Sequence, residues 1–151
     1  MDRYDRHILE ALQQDGRISN KQLAEQVNLS ESACLRRVRA LEDGGTIQRY
    51  VAMLSQDKVG VSGDVLVHIG LHREEQSELA AFEEAVRQIP EVMECYLMTG
   101  EFDYLLRVVV ADMADFERIH KEELTRLPGV ARVNSSVAIR KVLKRTALPL
   151  R

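Results

Sequence analysis

Apolar positions in the first 50 residues recur at the spacing of amphipathic helices. Ile8 and Leu12 lie four positions apart on one face of a predicted helix. Ser19 and Gln22 have the spacing of a capping box, and Ser30 is a suitable N-cap for a further helix. The predicted helices cover about residues 3–14, 20–27 and 31–43. A short break between the last two predicts a helix-turn-helix.

After residue 55 the pattern changes, because segments of alternating apolar and polar residues take turns with helical ones. The predicted strands cover about residues 64–71, 92–99, 104–111 and 130–139, and the predicted helices about residues 79–89 and 113–127. Each helix ends before a proline, Pro90 or Pro128, so the segment contains an internal pseudo-repeat. The order β-α-β-β-α-β predicts a ferredoxin-like sandwich. The fold class is therefore α+β, with an N-terminal (winged) helix-turn-helix domain and a C-terminal ferredoxin-like βαββαβ domain.

The domain boundaries follow from these changes in pattern. We expect a helix-turn-helix domain at residues 1–50, a linker strand at 51–63 and a ferredoxin-like domain at 64–151. Residues 47–54 are strand-like, which fits a wing or a connecting strand. A domain of about 50 residues buries only about 60% of its unfolded surface and is only marginally stable alone, so we expect it to pack against another surface or in a dimer.

The outer face of the third helix has the chemistry of a DNA-reading surface. Cys34, Val38 and Leu41 fall on the core face at 100° per residue, and Arg36 falls opposite them. No acidic residue occurs between positions 32 and 41, although the whole chain has a net charge of −3. Arginines can bind phosphates, and a guanidinium among small residues can reach base edges. The predicted DNA-binding residues are Ser30, Ser32, Ala33, Arg36, Arg37, Arg39 and Ala40.

Composition excludes several classes of protein. A net charge of −3 excludes DNA binding by bulk charge, and no apolar run approaches the roughly 20 residues that span a bilayer. The charged amino terminus is unlike a signal peptide, so we expect a cytoplasmic protein. Cys34 and Cys95 are too far apart in sequence to indicate a zinc site or a disulfide framework, and both are expected to be buried.

The sequence contains no pattern typical of an enzyme. Its four histidines have no consistent partner spacing, and it has neither a P-loop, nor a Gly-x-Ser-x-Gly motif, nor a His-Glu-x-x-His motif. We therefore expect no catalysis, no metal and no cofactor.

The predicted sheet has helices on one face only. The strand around residues 104–110 is apolar on both faces, so its open side needs a cover, which we expect to be a second copy of the chain. A dimer also supplies two recognition helices for a palindromic site. Residues 141–148 are a candidate edge strand that holds subunits together.

These segments together resemble the Lrp/AsnC (leucine-responsive, feast/famine) family of prokaryotic transcriptional regulators. The resemblance covers essentially the whole chain and is carried by Asp5-Arg6-His7-Ile8-Leu9, residues 12–19, Val27-Asn28-Leu29-Ser30, Cys34-Leu35-Arg36-Arg37-Val38, and residues 99–108. It implies homodimers that assemble into tetramers or octamers, with a small effector, usually an amino acid, bound between dimers. The implied effector residues are Met98, Thr99, Gly100, Glu101, Asp103, Tyr104, Ser135 and Ser136.

Two functions follow from this resemblance. The first is a sequence-specific regulator in the prokaryotic cytoplasm whose DNA binding or assembly state responds to an amino acid. The alternative is a ligand-independent, nucleoid-associated architectural protein that wraps DNA. A ligand-dependent change of assembly distinguishes them.

Overall fold

The computed structural model describes residues 1–73 and 75–150. The chain forms two compact units. The helical unit comprises residues 1–53 together with residues 142–150, which we name the return segment, and the sheet unit comprises residues 54–141. The predicted domain at 64–151 stays a prediction, while in this structure the return segment packs with the helices.

Three helices form the helical unit: α1 (Arg3–Gln14), α2 (Asn20–Gln26) and α3 (Glu31–Asp43). The predicted caps are present, since the hydroxyl of Ser19 accepts from the Gln22 amide and that of Ser30 from the Ala33 amide. Asp2 also caps α1. The buried core consists of Ile8, Leu9, Leu23, Ala24, Val27, Cys34 and Leu41.

The sheet unit has the predicted order of elements. They are β1 (Gly63–Leu71), α4 (Gln76–Val86), β2 (Val92–Leu97), β3 (Tyr104–Val110), α5 (Met113–Glu122), a 3₁₀ turn (Leu124–Arg126) and β4 (Val130–Val137). The strands pair antiparallel in the order β2-β3-β1-β4. The second predicted helix is therefore shorter, because the 3₁₀ turn takes its last part.

Alternation along the strands separates two faces of the sheet. Val67 lies opposite Leu106 on β3 and Ser135 on β4, and all three point toward the helices. The neighbouring positions, among them Leu66 and His68, lie on the open face. The core between sheet and helices includes Phe82 and Ile119, both fully buried.

The open face carries an ion-pair network. One guanidinium nitrogen of Arg107 lies 2.8 Å from Asp64 and another 2.8 Å from Glu94, while Lys141 lies 2.8 Å from Asp64. Burial raises the pKa of Asp64, but hydrogen bonds from Lys141 and Arg107 outweigh it, and the pKa lies below its usual value. The Asp64 carboxylate is therefore ionised at neutral pH.

Two predicted strands do not form in this single chain. Residues 48–55 have no assigned strand and residues 56–60 form turns, so the predicted linker strand at 51–63 is absent except for its last residue, with which β1 begins. The return segment contains no strand either. Cys95, predicted to be buried, is exposed because β2 is an edge strand with no neighbour beyond it.

Candidate DNA-binding and effector sites

The outer face of α3 is exposed as its periodicity predicts. Cys34 and Leu41 are buried in the helical core, whereas Arg36 and Arg39 are exposed and have no ion pair among the described residues. The small residues at 32, 33 and 40 lie on the same outer side and leave backbone and side chains accessible. This face combines two free guanidinium groups with little steric bulk, which suits a groove of duplex DNA.

Arg37 does not belong to this free surface. One of its guanidinium nitrogens lies 2.8 Å from both Asp2 and Asp5, and the group sits over the Tyr4 ring at 5.4 Å. Hydrogen bonds to Asp5 and Asp2 raise the pKa of Arg37. Its charge is paired with the start of α1 and fixes α3 on α1 in this structure, while the phosphate contact at Arg37 stays a prediction.

Ser30, also predicted to contact DNA, serves the helix first. Its hydroxyl accepts from the Ala33 amide at 3.3 Å and lies 3.3 Å from the Ser32 hydroxyl. The cap sets the start of α3 and so the position of Ser32 in its first turn.

A cavity of about 610 Å³ lies between α5 and β4, and we name it the α5–β4 cavity. It is lined by Met113, Ala114, Phe116, Glu117, His120, Val133 and Ser135. Phe116 and His120 meet edge to face, with ring centroids 5.9 Å apart. The walls thus combine an apolar surface with a carboxylate, an imidazole and a hydroxyl, the mixture typical of small-molecule sites.

Ser135 is the one predicted effector residue in this cavity. Its hydroxyl oxygen is buried and has no hydrogen-bond partner among the described residues. An unpaired buried hydroxyl is costly, so the site favours a ligand that supplies a partner. Ser136 pairs with Leu66 and faces the open side, so the two serines cannot line one site on this sheet.

The predicted effector loop connects β2 and β3. Met98, Thr99, Gly100 and Glu101 are exposed, and Gly100 has a φ of +116°, which side chains rarely adopt. A carboxylate oxygen of Asp103 accepts from the Leu71 amide at 2.6 Å, which ties the loop to the end of β1.

Phe102 holds the middle of the same loop against the open face. The centroid of the Phe102 ring lies 5.1 Å from that of His68 on β1, and the guanidinium of Arg132 on β4 lies 5.1 Å from the same Phe102 centroid. Arg132 also donates to the Glu101 carbonyl at 3.3 Å. The described loop residues do not line the α5–β4 cavity, so one chain does not bring the predicted effector residues together.

Tyr104 is not available to a ligand on the loop surface. The side chain is 1% exposed, stacks on Phe82 and donates to the Glu83 carboxylate at 2.9 Å. Burial and the hydrogen bond to Glu83 raise the pKa of Tyr104, so it is neutral. The strand position of Tyr104 points its side chain toward the helices, and its contact with the effector stays a prediction.

The cavity includes residues that sequence reasoning missed. Met113, Phe116, Glu117 and His120 follow the i, i+3, i+4, i+7 spacing of one helix face. Glu117 and His120 lie on the same helix face as the apolar Met113 and Phe116, and this could have indicated the site from the sequence. A helix face that only packs on a core rarely carries titratable residues.

The family of this chain follows from its sheet unit. The sequence profile described as Lrp/AsnC ligand binding domain matches residues 64–148. The chain belongs to the Lrp/AsnC family. The profile described as winged helix-turn-helix DNA-binding matches residues 1–48.

Individual relatives agree over nearly the full length. The Bkd operon transcriptional regulator of Pseudomonas aeruginosa is 43% identical over 99% of this chain and 98% of its own. The leucine-responsive regulatory protein of Escherichia coli is 42% identical over all of this chain and 92% of its own. The crystal structure of a transcriptional regulator–L-Met complex from Neisseria meningitidis superposes with a TM-score of 0.93 at 36% identity, over 99% of this chain and 96% of that one.

These comparisons confirm the family and the fold class predicted from the sequence. As an Lrp/AsnC member, the protein is a DNA-binding transcriptional regulator with a ligand-binding domain, and not an enzyme. Within residues 1–73 and 75–150, no helix is both long and apolar enough to cross a membrane, and no group of three potential metal ligands occurs.

Proposed function

We propose that the protein binds double-stranded DNA through the outer face of α3, and that a small amino acid in the α5–β4 cavity shifts its DNA binding or assembly. Ser32, Ala33 and Ala40 would lie against the groove while Arg36 and Arg39 contact bases and phosphates. The observation that supports the DNA contact is the pair of exposed arginines on α3, which have no ion pair among the described residues and lie in a stretch, positions 32 to 41, without acidic residues. The regulator would act on the nucleoid in the prokaryotic cytoplasm.

The cavity supports an amino acid as effector through its chemistry. The Glu117 carboxylate can accept from an α-ammonium group, and the Ser135 hydroxyl can donate to an α-carboxylate. Met113, Phe116 and Val133 provide an apolar wall for the side chain of the ligand. The related Neisseria regulator was crystallised with L-Met, whose side chain is apolar.

The separation of the effector loop from the cavity links ligand binding to assembly. Thr99 and Gly100 are exposed on the loop and do not line the cavity of their own chain. We infer that the loop of a second copy completes the site, so that ligand binding and assembly affect each other. The proposed assembly is a homodimer, closed over the open sheet face with its exposed Leu66 and Tyr96, that associates further into tetramers or octamers.

Light scattering coupled to size exclusion tests this function, with single amino acids added at millimolar concentration. We expect one apolar amino acid to change the oligomer mass and the affinity for duplex DNA. A constant mass and constant DNA affinity across the whole panel would favour the ligand-independent architectural protein instead.

A further inference from the structure

The return segment gives the helical unit its positive charge. Residues 1–53 contain eight basic and eight acidic residues, so this part has no net charge. The return segment adds Lys144 and Arg145 and no acidic residue. It belongs to a stretch, residues 124–151, with seven basic and no acidic residues in a chain whose net charge is −3.

The return segment is docked on α1 by specific contacts. The Gln13 side-chain amide donates to the Leu148 carbonyl at 3.2 Å, and its oxygen accepts from the Leu148 amide at 2.6 Å. Leu150 packs against the helical core. A side-chain amide that satisfies both backbone groups of one residue fixes the position and direction of the segment.

The docking point lies at the end of α1, just before the helix that is expected to cross the DNA backbone. Gln13 is in the last turn of α1, six residues before Ser19 caps α2. In helix-turn-helix complexes the helix that precedes the recognition helix, here α2, crosses the phosphate backbone. The Lys144 and Arg145 side chains are exposed and have no ion pair among the described residues, in contrast to Arg37.

We propose that the return segment is a second DNA contact, in which Lys144 and Arg145 bind phosphates beside the groove that α3 occupies. This inference rests on the proposed binding of DNA by α3. Phosphate contacts are independent of base sequence and release counterions, so the return segment adds affinity and salt dependence without specificity. It makes a neutral helical unit cationic on the part of the chain that binds DNA.

The test compares two double variants with the same change in charge. Lys144→Gln with Arg145→Gln removes the proposed contacts. Lys58→Gln with Arg126→Gln removes two exposed cations of the sheet unit that have no ion pair within the described part of the chain. Fluorescence anisotropy measures the affinity of the full chain for an operator and for random duplex between 50 and 200 mM salt. We expect the first variant to lower the slope of log K against log salt by about 0.9 per contact in each protomer and to weaken both duplexes about tenfold at low salt. The control should match the wild type.

A second pair of variants tests the docking. Gln13→Ala should release the return segment and weaken both duplexes, while Gln14→Ala, whose side chain is exposed and has no hydrogen bond in the described structure, should not. Wild-type slopes for the Lys144/Arg145 variant, or equal affinities for the Gln13 and Gln14 variants, would overturn the proposal. If the wild type binds neither duplex, the proposed DNA-binding function itself fails, which is a distinct result.

Discussion

Ser135→Ala should stabilise the ligand-free protein and weaken its effector binding. Most substitutions of buried residues destabilise a protein, but here the hydroxyl is buried without a hydrogen-bond partner. Its removal relieves the cost of desolvation and leaves a methyl group packed in the cavity wall. The variant therefore has opposite effects on stability and on ligand affinity.

The size of both effects follows from the burial of this one oxygen. A buried, unpaired polar group costs about 1–3 kcal/mol in protein mutational data, so we expect a gain of about 1 kcal/mol in the free energy of unfolding. For a domain of this size that corresponds to a rise of about 4–8 °C in Tm. A hydrogen bond to a charged ligand group contributes about 1.5–3 kcal/mol, so the effector Kd should rise at least about tenfold.

Calorimetry measures both quantities on the same samples. Scanning calorimetry without ligand gives the change in Tm, and titration calorimetry with the effector gives Kd. Ser136→Ala is the matched control, because it has the same chemistry one position along β4 but faces the other side of the sheet. A lower Tm for Ser135→Ala than for Ser136→Ala, or an unchanged Kd, would refute the role assigned to this hydroxyl.

Three further variants test other parts of the structure. Arg37→Ala should lower the Tm of the helical unit in a melting assay, because it breaks the contact with α1. Arg36→Ala should keep the wild-type Tm but weaken operator binding about tenfold or more in a band-shift assay. The pKa of Asp64 is depressed in the folded state, so its ionised carboxylate stabilises the fold above about pH 4 and this stabilisation is lost as the pH falls further. The difference in unfolding free energy between wild type and Asp64→Asn, measured in urea, should therefore shrink between about pH 6 and about pH 3. Gly100→Ala should cost about 1–2 kcal/mol, since the added Cβ meets no atom within 4 Å but the φ of +116° strains any side chain; an unchanged urea midpoint would contradict that reasoning.

The helical caps and the order of the elements were predictable because they depend on local interactions. Ser19 and Ser30 each cap a helix through the amide three positions away, and the alternation in β1 needs only its own sequence. Arg37 shows the limit of this reasoning. Its partners lie 32 or more positions away on α1, and no periodicity within α3 distinguishes it from Arg39.

Among the predicted effector residues, too, local patterns place some side chains and tertiary packing places others. Alternation places Ser135 with Val133 and Val137 on one side of β4, so it already separates Ser135 from Ser136, which only the family resemblance had joined. Tyr104 could not be assigned in the same way, because β3 is apolar on both faces. The α5–β4 cavity depends on the packing of two elements that are distant in sequence, and its shape is a tertiary property.

The return segment also determines when the helical unit can be completed during synthesis. The chain leaves this unit at residue 53 and rejoins it only at residue 142, so the ribosome makes the entire sheet unit in between. Domains usually fold as they emerge, from the amino terminus onward. In this protein Leu150 reaches the helical core only after the effector-binding half exists. A nascent chain therefore has its ligand-binding domain in place before its DNA-binding unit is complete.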